Sequence, residues 1–317
     1  MRALIWEAPG SLRFEETETP QPGPNQLLVQ TRAVGLRESD LDALEGRTAV
    51  PQNGLFSGND AAGEVHQVGE GVEDYIPGDR VFVSRPGGKG GLTDFFVTPV
   101  QNALWLSDAV TWEQAAAVAS PARAMAALGR VPGGFGEAVA IFGMGALGLS
   151  FLQLCGLRDA ARIIVIDRSA ARLQTARRLS ATDWIDAEAG GVAGEVRRLT
   201  GNEGVHLAME TSGIVQAVHD CIGATRSGGR ILLCGAYAGL VDGVDFHEQS
   251  SREITIHGCA DAALESCRSA LELVTSGQLD VDALASHRVR FDDLAHVVAT
   301  RSIDRQSEDY VQAVVLF

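Results

Sequence analysis

The chain has 317 residues, 45% of them hydrophobic and 21% charged, with a formal net charge of −15. At roughly 100–200 residues per domain, this length predicts two domains of ordinary globular composition. The acidic balance argues against nucleic acid as the main ligand, because a counterion-releasing binder presents a basic face, and no apolar run nears the ~18 residues of a membrane span.

The N-terminus, MRALIWEAPG, lacks the basic and apolar regions of a signal peptide. Five cysteines without a C-x-x-C pair fit reduced thiols, so a cytoplasmic protein is expected. Residues 27–34, 64–69, 79–84 and 92–98 are rich in Val, Leu and Phe with partial alternation, and Pro-Gly pairs at 22–23, 77–78 and 86–87 punctuate them. They predict a compact, barrel-like β unit. From residue 112 the pattern turns helical, with Pro121 expected at a first helical position. Apolar strands at 137–142, 161–167, 205–211 and 229–235 then alternate with helices at 146–157, 169–180 and 214–224. That alternation predicts right-handed βαβ units and a doubly wound parallel sheet. The tail from about residue 260 has a helix at 261–276 and a final apolar run, too little to fold alone, and is expected to return to the first domain.

The strongest motif is Gly143-Met144-Gly145-Ala146-Leu147-Gly148, placed between an apolar strand and a helix as a dinucleotide turn requires. Gly143 would permit the tight turn, Gly145 the approach of a pyrophosphate, and Gly148 close helix–strand packing. The next strand ends at Asp167, 19 residues after Gly148. A carboxylate there can accept hydrogen bonds from ribose hydroxyls and repels a 2′-phosphate, which favours NAD(H). Arg168 beside it can pair with a phosphate, so NADP(H) stays open.

With these residues in hand, the sequence resembles the medium-chain dehydrogenase/reductase family of alcohol and polyol dehydrogenases. The resemblance runs in order through Gly35–Asp40, Gly58–Val65, Pro77–Val81, the glycine turn, Glu210–Gly213, Gly228–Arg230 and Ser276-Gly277. It implies an α/β protein with a GroES-like β-barrel catalytic domain (1–121), a Rossmann domain (122–259) and a C-terminal return to the first domain (260–317). It also implies a homodimer or homotetramer paired through strands near Glu253–Gly258. Arg172 matches a basic residue on the adenosine ribose, while Thr211, Cys234, Gly235 and Ala236 match the nicotinamide side. A cleft between the domains would hold the substrate.

The family's zinc enzymes place Cys, His and Cys or Glu where this chain has Arg37, Asn59 and Ser120. None suits zinc, which takes Cys, His or carboxylate ligands, so no metal is expected. The four-cysteine zinc lobe is replaced by a short loop at 85–91 containing Lys89. With the metal gone, Arg37 offers permanent positive charge for a developing oxyanion, and Asn59 an amide donor. Ser39 and Asp42 match a proton path, and Asp60 replaces a Glu near the metal. Two alternatives remain for Arg37: facing substrate, or pairing with Asp60 or Asp40. Tyr237 is a further phenolic donor. The expected function is zinc-independent hydride transfer between a nicotinamide and a carbonyl/alcohol or activated C=C of a small molecule. A redox-silent relative catalysing cyclisation or elimination, and an NADH-sensing binding protein, are the other two readings.

Overall fold

The computed structural model describes residues 1–44, 58, 60–84, 90–133, 135–237, 240–259, 262–300, 303, 307 and 309–317, apart from the side chains of Glu38, Ser39, Leu44, Phe246 and Glu248. The chain opens with the antiparallel hairpin β1 (Arg2–Ala8) and β2 (Ser11–Glu16). There follow β3 (Gln26–Leu36), α1 (Glu38–Leu44), β4 (Asp60–Val68), β5 (Arg80–Ser84), β6 (Phe95–Pro99), β7 (Ala103–Trp105) and α2 (Trp112–Ala116). The middle of the chain alternates: α3 (Ala119–Leu128), β8 (Ala138–Phe142), α4 (Ala146–Leu157), β9 (Arg162–Asp167), α5 (Ala170–Arg178), β10 (Asp183–Asp186) and α6 (Val192–Leu199). It continues with β11 (Val205–Glu210), α7 (Val215–Ala224), β12 (Thr225–Leu233), α8 (Phe246–Ser251) and β13 (Thr255–Gly258). The tail holds α9 (Leu264–Thr275), β14 (His287–Arg290), α10 (Leu294–Ala299) and β15 (Ala313–Leu316).

Two compact units result: Met1–Ala119 with Cys267–Phe317, and Ser120–Ser266. In the first, β3 is the organising strand, because it pairs with β4, β6 and β15. The sheet runs β14-β15-β3-β4-β5-β7, and the tail strand β15 lies antiparallel to β3 with Ala313 opposite Leu36. Side chains of Leu4, Leu27, Val34, Phe96 and Phe291 meet in its core, each buried side chain contributing about 1.5–3 kcal/mol. Thr111 and Gln114 form a reciprocal cap at the start of α2, which packs its Ala116 carbonyl against β3. A Cβ on Gly35 would stand 2.1 Å from that oxygen, so only glycine lets the helix lie this close.

The second unit carries one parallel sheet, ordered β10-β9-β8-β11-β12-β13. In strand order along the chain this is 3-2-1-4-5-6, the doubly wound arrangement, and the order reverses between β8 and β11. Crevices at such a reversal, beyond the carboxyl ends of the strands, are where open α/β sheets bind ligands. Phe142, Ile164, Val205, Ala208 and Ile231 share its core. Among the described residues, no helix is long and apolar enough to cross a membrane.

Some elements differ from expectation. α3 starts at Ala119, so Pro121 is the third helical residue rather than the first. Its missing N–H is harmless there, since the first four amides of a helix have no intrahelical acceptor. β12 starts at Thr225, not 229, and shifts register against β11 between Val205 and Leu207. The hairpin β1–β2, the strand β10 and the helix α6 had no counterpart in the sequence pattern.

Candidate active site

The chemistry-bearing residues fall into two groups, one in each unit. In the second unit, β8 delivers the glycine turn to the topological reversal. Gly143 has φ +97°, a left-handed conformation that any side chain would strain, and its N–H bonds the Ile166 carbonyl at 2.8 Å. A Cβ at Gly148 would fall 1.8 Å from the Gly143 oxygen, so glycine is obligatory where α4 crosses the turn. At Gly145, by contrast, a Cβ would meet nothing within 4 Å. Gly145 is the N-cap of the twelve-residue α4, whose first residues Ala146 and Leu147 are half-buried. An open face with free helix amides is suited to a pyrophosphate, both by its donors and by the positive end of the helix dipole. These residues therefore fit a dinucleotide.

Asp167 ends β9 and is buried. Its Oδ2 accepts the Met144 N–H at 2.6 Å and its Oδ1 the Ser169 N–H at 2.8 Å. It thereby ties the glycine turn to the start of α5. Each carboxylate oxygen has two lone pairs, so these bonds leave acceptor capacity for ribose hydroxyls. Arg168 is exposed, and Arg172 is half-buried on the first turn of α5, where its N–H bonds the capping Ser169 hydroxyl at 3.1 Å.

Across the reversal, the Thr211 hydroxyl donates to the carbonyls of Phe142 (3.0 Å) and Gly143 (2.9 Å), bracing the turn from β11. The buried Glu210 before it is a hub that the sequence pattern did not single out as a site residue. Its Oε1 accepts the Ser212 N–H at 2.7 Å, the Ser212 hydroxyl at 2.5 Å and the Gly213 N–H at 3.1 Å. Its Oε2 accepts the Tyr237 hydroxyl, and a Cβ on Gly235 would strike that oxygen at 2.4 Å. One carboxylate thus holds the two loops that leave β11 and β12. Burial, then the bond to Glu210, pushes the Tyr237 phenol well above its usual value, so it stays protonated and donates inward. Cys234 is buried, and Ala236 is exposed beyond it. The signal for Glu210 was its type: a carboxylate at the end of a strand whose preceding residues, 207–209, are apolar.

In the first unit, Arg37 follows the last residue of β3 and Asp60 opens β4, which pairs it in register with Gly35. The register sets Arg37 diagonally across from Asp60. Arg37 Nε donates to Asp60 Oδ2 at 2.5 Å and its Nη2 to Oδ1 at 2.6 Å, a two-bonded fork. The Asp60 side chain is fully buried, and that of Arg37 is 25% exposed. Asp40 accepts the Arg37 backbone N–H at 2.7 Å, capping the turn into α1. Cys267 is buried nearby, and its thiol is pushed up to about 12, first by burial and then by the Asp60 charge, against the pull of Arg37. Asp42 is half-buried on α1. The Ser39 side chain, Asn59 and Lys89 lie outside the described residues.

A zinc ion does not fit the first-unit group. Its expected ligand position is an arginine already engaged in a fork, and guanidinium has no lone pair for a metal. Among the described residues, no three His, Cys, Asp or Glu side chains gather as a metal site.

Two family models match the chain: an alcohol dehydrogenase GroES-like domain over residues 23–108 and a zinc-binding dehydrogenase over residues 146–276. The chain is similar to sorbitol dehydrogenase of Gallus gallus, 29% identical over 90% of this chain and 89% of the relative. It is also similar to (R,R)-butanediol dehydrogenase of Bacillus subtilis strain 168, 26% identical over 93% of this chain and 94% of the relative. The crystal structure of 2R,3R-butanediol dehydrogenase from Bacillus subtilis shares the fold, with a TM-score of 0.90 at 24% identity, covering 100% of this chain and 99% of that one.

Proposed function

We propose, from the premise that this chain belongs to the medium-chain alcohol/polyol dehydrogenase family, that it is a zinc-independent, NAD(H)-preferring oxidoreductase. The observation that carries the cofactor half is the glycine turn at the sheet reversal, open at Gly145 and held by the buried Asp167. Gly143–Gly148 would hold the pyrophosphate, Asp167 and Arg172 the adenosine ribose, and the loops anchored by Glu210 would carry the nicotinamide side through Gly235 and Ala236. The nicotinamide supplies a hydride acceptor or donor at its C4 carbon. Asp167 would select against a 2′-phosphate by charge.

On the substrate side, similarity to sorbitol and butanediol dehydrogenases supports alcohol/carbonyl chemistry over reduction of a C=C bond. Alcohol oxidation in this scheme moves a hydride from the carbinol carbon and releases the hydroxyl proton, for which Ser39 and Asp42 form the proposed path. Arg37 is anchored by Asp60 with its guanidinium partly exposed, a placement that supports fixed positive charge beside a developing alkoxide. The zinc-binding designation of the matched family is not carried over, because Arg37 stands at a ligand position. We take the substrate as a small organic molecule and the assembly as a homodimer or homotetramer. Metal analysis of protein purified without chelator tests the zinc half. Well under one zinc per chain is expected, and stoichiometric zinc overturns it.

A further inference from the structure

The parallel pairing of β12 with β13 sets Leu233 opposite Gly258, and the Cys259 N–H continues that ladder to the Leu233 carbonyl at 3.0 Å. The next residues in register are therefore Cys234 and Cys259. Adjacent strands lie about 4.8 Å apart, within the roughly 4.4–6.8 Å of Cα separation that a disulfide spans. Residues opposite each other in a parallel pair share a face, and the two thiols are in hydrogen-bond contact. Neither is disulfide-bonded, and they differ in access: Cys234 is buried, whereas Cys259 is half-exposed.

Arg123 on α3 completes the group. Its Nη2 donates to the Cys234 carbonyl at 2.8 Å, and its guanidinium also hydrogen-bonds the Cys259 sulfur. A fixed cation beside an adjacent thiol pair favours a thiolate there, and the difference in exposure separates an attacking Cys259 from a buried, resolving Cys234. We propose that Cys259 and Cys234 form a peroxide-oxidisable dithiol site, with Cys259 the attacking thiolate and Cys234 the resolving thiol.

The Cys259 sulfur attacks one oxygen of a hydroperoxide, so an S–O bond forms as the O–O bond breaks and the departing oxygen takes up a proton. Cys234 then attacks the sulfenic sulfur. An S–S bond forms, the Cys234 proton is released, and the sulfenic oxygen leaves as water. Two thiols supply the two electrons that reduce the peroxide to an alcohol or water. The positive charges around Cys259 favour its thiolate, in line with its greater exposure. The groups facing Cys259 are Cys234, Arg123 and Arg130; the shared hydrogen bond with Cys234 and the two arginines lower its thiol to about 6, against the opposing effect of burial. Cys234 moves the other way, raised by that hydrogen bond and by burial. Oxidation should thus accelerate as pH rises through about 6 and level off above it. Cys155, Cys221 and Cys267 are buried with raised thiols and should stay reduced.

Treatment of the native chain with hydrogen peroxide, followed by thiol counting and peptide mapping, tests this. The count should fall from five to three, with one reducible cross-link joining the Cys234 and Cys259 peptides and with Cys259 reacting at least about tenfold faster than the buried cysteines. In Cys234→Ser, a dimedone adduct should collect on Cys259, and in Cys259→Ser none should collect on Cys234. Five surviving thiols, a cross-link elsewhere, or equal loss from Cys155, Cys221 and Cys267 would overturn the proposal. The peptide map of the unsubstituted chain decides the matter even if either variant folds poorly, and no part of the test depends on cofactor binding.

Discussion

Replacing Arg37 with methionine should cost about 3–5 kcal/mol of folding stability, because it removes the two-bonded cationic fork from a fully buried carboxylate. The fork to Asp60 supplies two hydrogen bonds at 2.5 and 2.6 Å, and nothing of methionine's chemistry replaces them. Asp60→Leu should destabilise comparably by removing the carboxylate that holds the guanidinium in its fork. The double replacement, Arg37→Met with Asp60→Leu, should recover most of the loss, since a buried ion pair exchanged for apolar groups is often neutral. Turnover should not recover with it, because the proposed alkoxide-facing charge is gone. Guanidinium unfolding and steady-state rates on the same four proteins check both halves. A single Arg37 variant of unchanged stability would refute the structural pairing, and a double variant of normal turnover would remove Arg37 from the chemistry.

Asp167→Ala should weaken NADH binding at least about tenfold and bring the NADH and NADPH affinities together. Hydrogen bonds to a charged group contribute about 1.5–3 kcal/mol, and 1.4 kcal/mol is already a factor of ten. The carboxylate acts twice, since it holds the Met144 and Ser169 amides and offers its remaining lone pairs to the ribose. Asp167→Asn separates the two contributions: it keeps the size of the side chain and removes the charge that repels a 2′-phosphate. Its NADPH affinity should rise relative to NADH. Fluorescence titration measures both variants, and an unchanged NADH-to-NADPH ratio in each would sink the assignment.

The glycine turn was legible because its spacing reports a local constraint. A strand, a left-handed residue and a close helix crossing must follow one another within six residues. The Arg37 partner was not, since Asp60 and Asp40 were both available and the choice depends on register. β3 and β4 are irregular between Leu28 and Val29 and between Thr31 and Ala33, but the two shifts cancel, so Asp60 meets Gly35 in the same register that sets Leu27 opposite Val68. Hydrophobic alternation alone fixes neither which strands pair nor in what register. Glu210 is legible in the sequence only as a motif position, because its function as a hub depends on loops from β11 and β12 folding back onto one carboxylate. The Cys234–Cys259 pairing likewise needs the order of β12 and β13 and their register. Among the elements, α6 was masked by Gly194 in its middle and Gly190-Gly191 before it, and β10 is a four-residue edge strand with one buried side chain, Ile185. Short edge segments bury too little to leave a periodic signal.

The central claim is that the open turn at Gly143–Gly148 takes a nicotinamide dinucleotide whose ribose Asp167 reads. A parallel titration of the purified chain with NADH and NADPH, followed by energy transfer from its four tryptophans, addresses it most directly. Saturable NADH binding with markedly weaker NADPH binding is the predicted result. A preference for NADPH would contradict the Asp167 assignment and point to Arg168, and failure of both to bind would contradict the proposed oxidoreductase itself.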